Sequence, residues 1–506
     1  MVDVSSEFFP STLLLVILGI CLLSSVHAAA SWCLINDTLG EAPCFPRCPP
    51  DQPQTFATSS TLTGLQQVLY EQDCALYNYV TESRIYPEDL SMAVVTKRGW
   101  VVDPNNSTGA GVTLLDMSDP TMTHVLDVWA SPNGDTVEGQ DRFRDLLVVS
   151  SIDQGGLYVF RIATNRTLQL LSYTDIPWAG STLHVKLKHY PPSDGSNTSF
   201  GRLVAFASQG WCDNVQQMQC DKYGWTKIHI VDISNATHPT VLNSISTGVT
   251  QPEGIYLVNQ QHLYVGGIGS PVLSVVDIAD PENPRIVSKC VSGICQTKPY
   301  YSQMVGEIVH DSVDGSYGPS SSEQSYRYWA AALFSTPGGM AIFDTQPSST
   351  SSSGSNPPLP LEVSALTDKV LSTANRMHIH NGYALIPMEQ DPAGGFAVVN
   401  VANPACPQLV GVHFLGVGST PSDGTPTSTR VYCLVVTDDV VNLFCSKTCE
   451  RYAFRVPFLA QPAPLLECTG SGESTTTTTT AATSSVTSGT RDLSGRRKLW
   501  SGYNGY

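Results

Sequence analysis

The chain has 506 residues, 41% of them hydrophobic and only 14% charged, and its 44 Asp and Glu against 27 Lys and Arg leave a formal charge of −17. That balance repels phosphate backbones and anionic bilayers, so nucleic acid is excluded as an expected partner. The apolar content is too high for a disordered chain, and no later apolar run approaches the roughly 20 residues that span a bilayer, so the body is expected to be soluble and folded.

Leu13 to Leu23 form an apolar run broken only by Gly19, and Val26 and Ala28 place small residues where a signal peptidase reads them. Residues 1–28 therefore read as a signal peptide, with an uncleaved anchor as the alternative because Asp3 and Glu7 stand where basic residues are usual. Secretion makes disulfides the default for the later cysteines. Cys212 with Cys220 and Cys290 with Cys295 are close enough in sequence for local bridges, although spacing does not fix connectivity. After the signal, 13 cysteines remain, an odd number that leaves at least one thiol free or available for an intermolecular disulfide. Asn36, Asn105, Asn106, Asn165, Asn197 and Asn235 each open an Asn-x-Ser/Thr sequon, which in a secreted chain marks glycosylated surface loops. Residues 29–90 are rich in Cys and Pro and are expected to form a disulfide-tied N-terminal cap, or to lend a strand to the domain that begins at residue 91. The stretch Leu65-Gln-Gln-Val-Leu-Tyr-Glu71 within them suits one short helix.

From residue 91 a pattern returns: alternating apolar residues, an Asp or Asn, then a turn carrying Asp/Asn-Pro. Leu273-Ser-Val-Val-Asp277-Ile-Ala-Asp280-Pro281-Glu-Asn-Pro284 matches Phe396-Ala-Val-Val-Asn400-Val-Ala-Asn403-Pro404-Ala-Cys-Pro407 nearly position for position, and copies end at Asp116 and Asp232. Weaker copies centre on Arg161 and Asp344, and a faint one reaches Cys445. The intervals between these seven marks are 45, 71, 45, 67, 56 and 45 residues, and the long ones contain turn-rich inserts at 191–199 with 209–223, at 311–324 and at 346–358. Each unit has room for four strands, the length of a propeller blade, and a single blade cannot bury both faces, so blades must stack in a ring. The expected fold is all-β: a β-propeller of seven four-stranded blades over residues 91–464, with six as the alternative. At strand ends the marks should accept turn N–H groups, a structural role.

These residues resemble the LVIVD-repeat family, whose unit carries a Leu-Val-Ile-Val-Asp strand and an Asp-Pro-x-x-Pro turn. Leu273 to Pro284 and Phe396 to Pro407 carry the resemblance best. It implies a propeller and transfers no catalytic motif.

Residues 465–506 read as a disordered tail. Ser471 to Thr490 hold 14 Ser or Thr in 20 positions, which suits an O-glycosylated stalk, and the absence of a hydrophobic segment after it argues against a GPI anchor.

No hydrolase elbow, zincin helix, phosphate loop or EF-hand is present. His184, Glu253, His378 and His380 stand where inner strands should line a central channel, and such a set would suit Zn or Cu, although no cofactor is expected. Trp178, Trp211, Trp225, Tyr300, Tyr301 and Trp329 fall in or beside the inserts, where a propeller carries binding loops. The favoured function is an extracellular binding or adhesion module, secreted or on the cell surface, with a protein or glycan as partner. The alternative is a metal-dependent enzyme centred on the channel.

Overall fold

The computed structural model describes residues between 61 and 466, outside the intervals 98–109, 193–200, 211–225, 290–303, 310–327, 345–360, 389–393 and 416–429 and some shorter ones. The signal segment, the sequons at Asn36, Asn105, Asn106 and Asn197, the cysteines Cys212, Cys220, Cys290 and Cys295, and the Ser/Thr tail lie outside the described residues.

Strand β1 (Gln66–Gln72) comes first, followed by the four-residue helix α1 (Cys74–Tyr77). Blade one is β2 (Val80–Tyr86), β3 (Asp89–Lys97), β4 (Gly111–Asp116) and β5 (His124–Ala130). Blade two is β6 (Val137–Phe143), β7 (Leu146–Ser151), β8 (Gly156–Ile162) and β9 (Leu168–Asp175). Blade three is β10 (Thr182–Tyr190), β11 (Arg202–Gln209), β12 (Lys227–Asp232) and β13 (Thr240–Ser246), and blade four is β14 (Gly254–Val258), β15 (His262–Gly266), β16 (Leu273–Asp277) and β17 (Arg285–Lys289). Blade five is β18 (Met304–Val309), β19 (Tyr328–Leu333), β20 (Gly338–Asp344) and β21 (Leu361–Asp368), and blade six is β22 (His378–His380), β23 (Tyr383–Met388), β24 (Gly395–Asn400) and β25 (Gln408–Phe414). In blade seven, β26 (Arg430–Thr437), β27 (Val440–Ser446) and β28 (Glu450–Arg455) are completed by β1, which pairs antiparallel with β28. Seven four-stranded antiparallel sheets result.

Period-two alternation explains the stacking. In Met92-Ala-Val-Val95, Met92 and Val94 pack with Leu147 and Val149 of blade two, while Ala93 and Val95 pack with Val435 and Phe444 of blade seven. All of these side chains are buried, and each fully buried Val, Leu or Phe contributes about 1.5–3 kcal/mol. Other apolar clusters likewise join successive blades, such as Leu157 and Val159 with Val185 and Leu187.

Two expectations are corrected. The stretch 65–71 is not a helix but the closing strand β1. Its Val68-Leu69 pair mimics helical spacing because the register with β28 shifts between Gln67 and Leu69, and a bulge interrupts alternation there. The ring therefore recruits residues from Gln66 and from β2, ahead of residue 91. The faint seventh mark at Cys445 lies on β27, the second strand of its blade. Asp116, Asp232, Asp277, Asp344 and Asn400 each end a third strand, as Arg161 nearly does. Blade seven takes its fourth strand from the other end of the chain, so its third strand has no tight turn to close and no mark.

The marks work as expected. Asp116, Asp232, Asp277 and Asn400 accept the backbone N–H two residues on, from Ser118, Ser234, Ala279 and Ala402, each at 2.9 Å. Three residues later Asp119, Asn235, Asp280 and Asn403 repeat the device. Blade six has asparagine at both positions for a reason visible only in three dimensions: Asn400 Nδ2 donates to Pro464 O at 2.8 Å and Asn403 Nδ2 to Leu466 O at 2.9 Å, pinning the C-terminal segment across the turn. Replacing both by Asp keeps the turn caps but sets carboxylates against carbonyls. The double variant Asn400→Asp with Asn403→Asp is expected to lose about 2 kcal/mol and to expose residues 456–466 to proteolysis, measured by urea midpoint and limited digestion.

Candidate functional site in the central channel

The first strand of each sheet is the innermost, and four of them begin with an irregularity. The register shifts between Val80 and Glu82 in β2, Val137 and Gln140 in β6, Thr182 and Val185 in β10, and Val431 and Cys433 in β26. Such bulges re-aim side chains. A hydroxyl on the second strand stands opposite in three blades: Thr96, Ser150 and Ser208. Thr96 donates to Glu138 O of the next blade, Ser150 donates to Leu183 O of the next blade at 2.6 Å, and Ser208 accepts His184 N–H at 2.9 Å. Gly139 is required here, since a Cβ would collide with the backbone of His184. The bulged residues are thereby locked against neighbouring blades.

This frame gathers charge. Arg376, 7% exposed and just ahead of β22, reaches across the channel with Nη2 3.1 Å from Glu138 Oε1 and Nη1 3.7 Å from Glu82 Oε1. Glu82 is also paired with Arg84, and its Oε2 accepts Gln140 N–H at 2.9 Å. The Arg376 guanidinium lies 5.3 Å from the Tyr432 ring centroid, and Lys186 Nζ lies 5.0 Å from that of Tyr256. Burial alone would raise the Glu82 carboxyl, but Arg84 and Arg376 outweigh it and hold it at about 2. Burial, assisted by Arg376, lowers His184 to about 4, and burial with Arg84 does the same for His378. Both imidazoles are therefore neutral near pH 7. Burial raises the Cys433 thiol to about 12, so this cysteine is an unreactive thiol.

His184, His378 and His380 do lie on inner strands. The arrangement nevertheless brings guanidinium groups beside the first two, and His380 Nε2 meets Asn381 Nδ2 at 3.2 Å. Among the described residues no three His, Cys, Asp or Glu side chains converge as a metal set, and Glu253 lies outside the description. Trp178, Trp211, Trp225, Tyr300 and Tyr301 also lie outside it. Trp329 is not in a loop: β19 begins at Tyr328, and Trp329, its second residue, pairs with Ile308 and Phe343. Sequence reasoning does not single out Glu82, Glu138 and Arg376. The one signal for the two glutamates is a charged residue near the start of an inner strand, as in Val80-Thr-Glu82 and Val137-Glu138.

Seven antiparallel sheets around a charged channel define a seven-bladed β-propeller. Residues 223–247, which contain β12, the mark Asp232 and its turn, match the family model described as LVIVD repeat. Similar solved structures include the β-propeller domain of Cps50 (Swd1) from Myceliophteria thermophila, at 9% identity over 78% of this chain and 99% of that one, TM-score 0.48. A functionally unknown protein from Desulfotomaculum acetoxidans is 12% identical over 68% and 93%, TM-score 0.43, and a protein from Lactobacillus plantarum 11% identical over 71% and 86%, TM-score 0.43. The fold assignment rests on the sheets themselves, not on these likenesses. No curated protein matches the chain.

Proposed function

We propose that the chain is a secreted or cell-surface propeller that binds an extracellular protein or glycan through the face at which its inner strands begin. One topological observation carries this reading. In an antiparallel four-stranded blade, the links between blades and those between second and third strands anchor at one face. Trp178, Trp211, Trp225, Tyr300 and Tyr301 all belong to such links: β9 to β10, β11 to β12, and β17 to β18. Aromatic residues in links anchored at one rim suit protein and sugar surfaces. The exposed sequon residues Asn165 and Asn235 lie in turns at the opposite face, so glycans there leave this rim clear. The disulfide at Cys406 supports an oxidising compartment.

On arrays of glycans and cell-surface ectodomains, Trp211→Ala with Trp225→Ala is expected to weaken the selected interaction by about 2 kcal/mol, roughly 30-fold. Asn165→Gln with Asn235→Gln is expected to reduce mass and leave binding intact. Unchanged binding by the folded tryptophan variant would overturn the reading. The metal-enzyme alternative is separated by elemental analysis of secreted, tag-free protein: stoichiometric metal that disappears in His378→Ala with His380→Ala would establish it against the pure binding reading.

A further inference from the structure

After β28 the chain runs as a strap over blades six and seven. Val456, Leu459 and Ala463 are buried in one apolar cluster with Leu385 and Phe396 of blade six and Val441 and Leu443 of blade seven. Asn381 O accepts Ala463 N–H at 2.7 Å, Asn381 Nδ2 donates to Leu459 O at 2.8 Å, and Asn403 Nδ2 holds Leu466 O. The turn that carries Asn403 also carries Cys406, whose N–H donates to Asn403 O at 3.0 Å. Cys406 is 3% exposed and disulfide-bonded. Its partner is neither Cys433 nor Cys445, which carry thiols.

We propose that Cys406 is joined to Cys468, a covalent staple over the end of the strap. The Cα atoms of a disulfide stand at most about 7 Å apart, which removes most rivals. Cys74 lies between β1 and β2, Cys212 and Cys220 belong to the β11–β12 link, Cys290 and Cys295 to the β17–β18 link, and Cys449 to the β27–β28 link. All of these are anchored at the face where inner strands begin, a strand's length of roughly 20 Å from the β24–β25 turn. Cys33, Cys44 and Cys48 enter the ring through Leu62, whose N–H donates to Val412 O at 2.9 Å on the same blade. The nearest of them, Cys48, stands 13 residues ahead of Thr61, a flexible span of roughly 20 Å. Cys468 stands only two residues after Leu466, within about 7 Å of a residue already bound to the Asn403 turn. The shorter tether gives the higher local thiol concentration. Joining the two Sγ atoms takes a proton from each thiol and passes two electrons to a disulfide-bearing oxidant of the secretory compartment, which leaves as two thiols. Tension on the Ser/Thr tail then enters the ring at blade six through sulfur and bypasses the hydrogen bonds of the strap. The pairing rests on the oxidising compartment of the reading above and not on its aromatic rim.

The test uses the full chain secreted by cultured cells, alkylated without reduction, digested and mapped by mass spectrometry. A peptide pair joining Cys406 to Cys468 is expected, and reduction should separate it. Cys406→Ala and Cys468→Ala are each expected to lower the melting temperature by the same amount, about 5 °C, and the double variant no further, because all three remove one bond. Cys406 found joined to another cysteine, with the remaining cysteines in disulfides, would overturn the pairing and leave the compartment standing. A chain recovered wholly alkylated would overturn both. Should a variant fail to fold, the peptide map of the unaltered chain still decides it.

Discussion

Arg376→Met is expected to cost about 3–5 kcal/mol, because it leaves the buried Glu138 without its guanidinium and takes one of two cations from Glu82. Denaturant midpoints measured on the variant and on the triple change Glu82→Gln, Glu138→Gln, Arg376→Met separate two accounts. If the cost is uncompensated buried charge, the triple variant recovers most of the loss; if Arg376 acts mainly through packing on Tyr432, it does not. The same cluster sets acid sensitivity. His184 is lowered from 6.5 to about 4 in the folded chain, so the unfolded chain binds more protons between those values. Its contribution is complete above pH 6.5, falls as pH drops toward 4, and is on the order of 3 kcal/mol. Glu82, lowered from 4.5 to about 2, adds a second loss between pH 4.5 and 2. A midpoint that stays constant from pH 7 to 4 would contradict a neutral buried His184.

Removal of residues 61–72 is expected to abolish cooperative unfolding altogether, because it strips blade seven of its fourth strand and opens the ring. The strand is held by more than its ladder. Arg451, fully buried, places Nη1 3.1 Å from Glu71 Oε2 and Nη2 2.6 Å from Asn442 Oδ1, and Tyr77 donates to Glu71 at 2.9 Å. Arg451→Ala removes this clamp and should cost about 3–5 kcal/mol with the backbone intact. A peptide spanning 61–77 supplied in trans should restore the sharp calorimetric transition of the shortened chain. A shortened chain that melts as sharply as the full one would show that closure by β1 is dispensable.

The blades are legible in the sequence because each repeats a local device: an apolar alternation, an Asx residue at its end and a proline-bearing turn. Features that depend on distant parts of the chain are not. Nothing near Gln66 announces that its partner is Glu450 to Arg455, and a bulge disguises its period. Assigning β2 to a cap leaves Glu82 off the channel wall. The histidines carry the sequence pattern of metal ligands, whereas the group that organises the site is Arg376, an ordinary residue in sequence whose partners come from blades one and two. The asparagines of blade six read as conservative replacements for aspartate until the carbonyls of Pro464 and Leu466 are seen beside them.

Those asparagines also give the molecule an orientation. By pinning Pro464 and Leu466 beside the mark turn, they fix the point of departure of the C-terminal chain on the side of the ring opposite the aromatic links, a strand's length of roughly 20 Å away. A molecule tethered from that end would turn outward the face at which its inner strands begin, like a dish mounted from behind, with Asn165 and Asn235 on the mounting side. Strand β1, antiparallel to β28, also begins on that side, with Gln66 beside Arg455, so the first strand of the ring starts on the face where its last described segment is pinned.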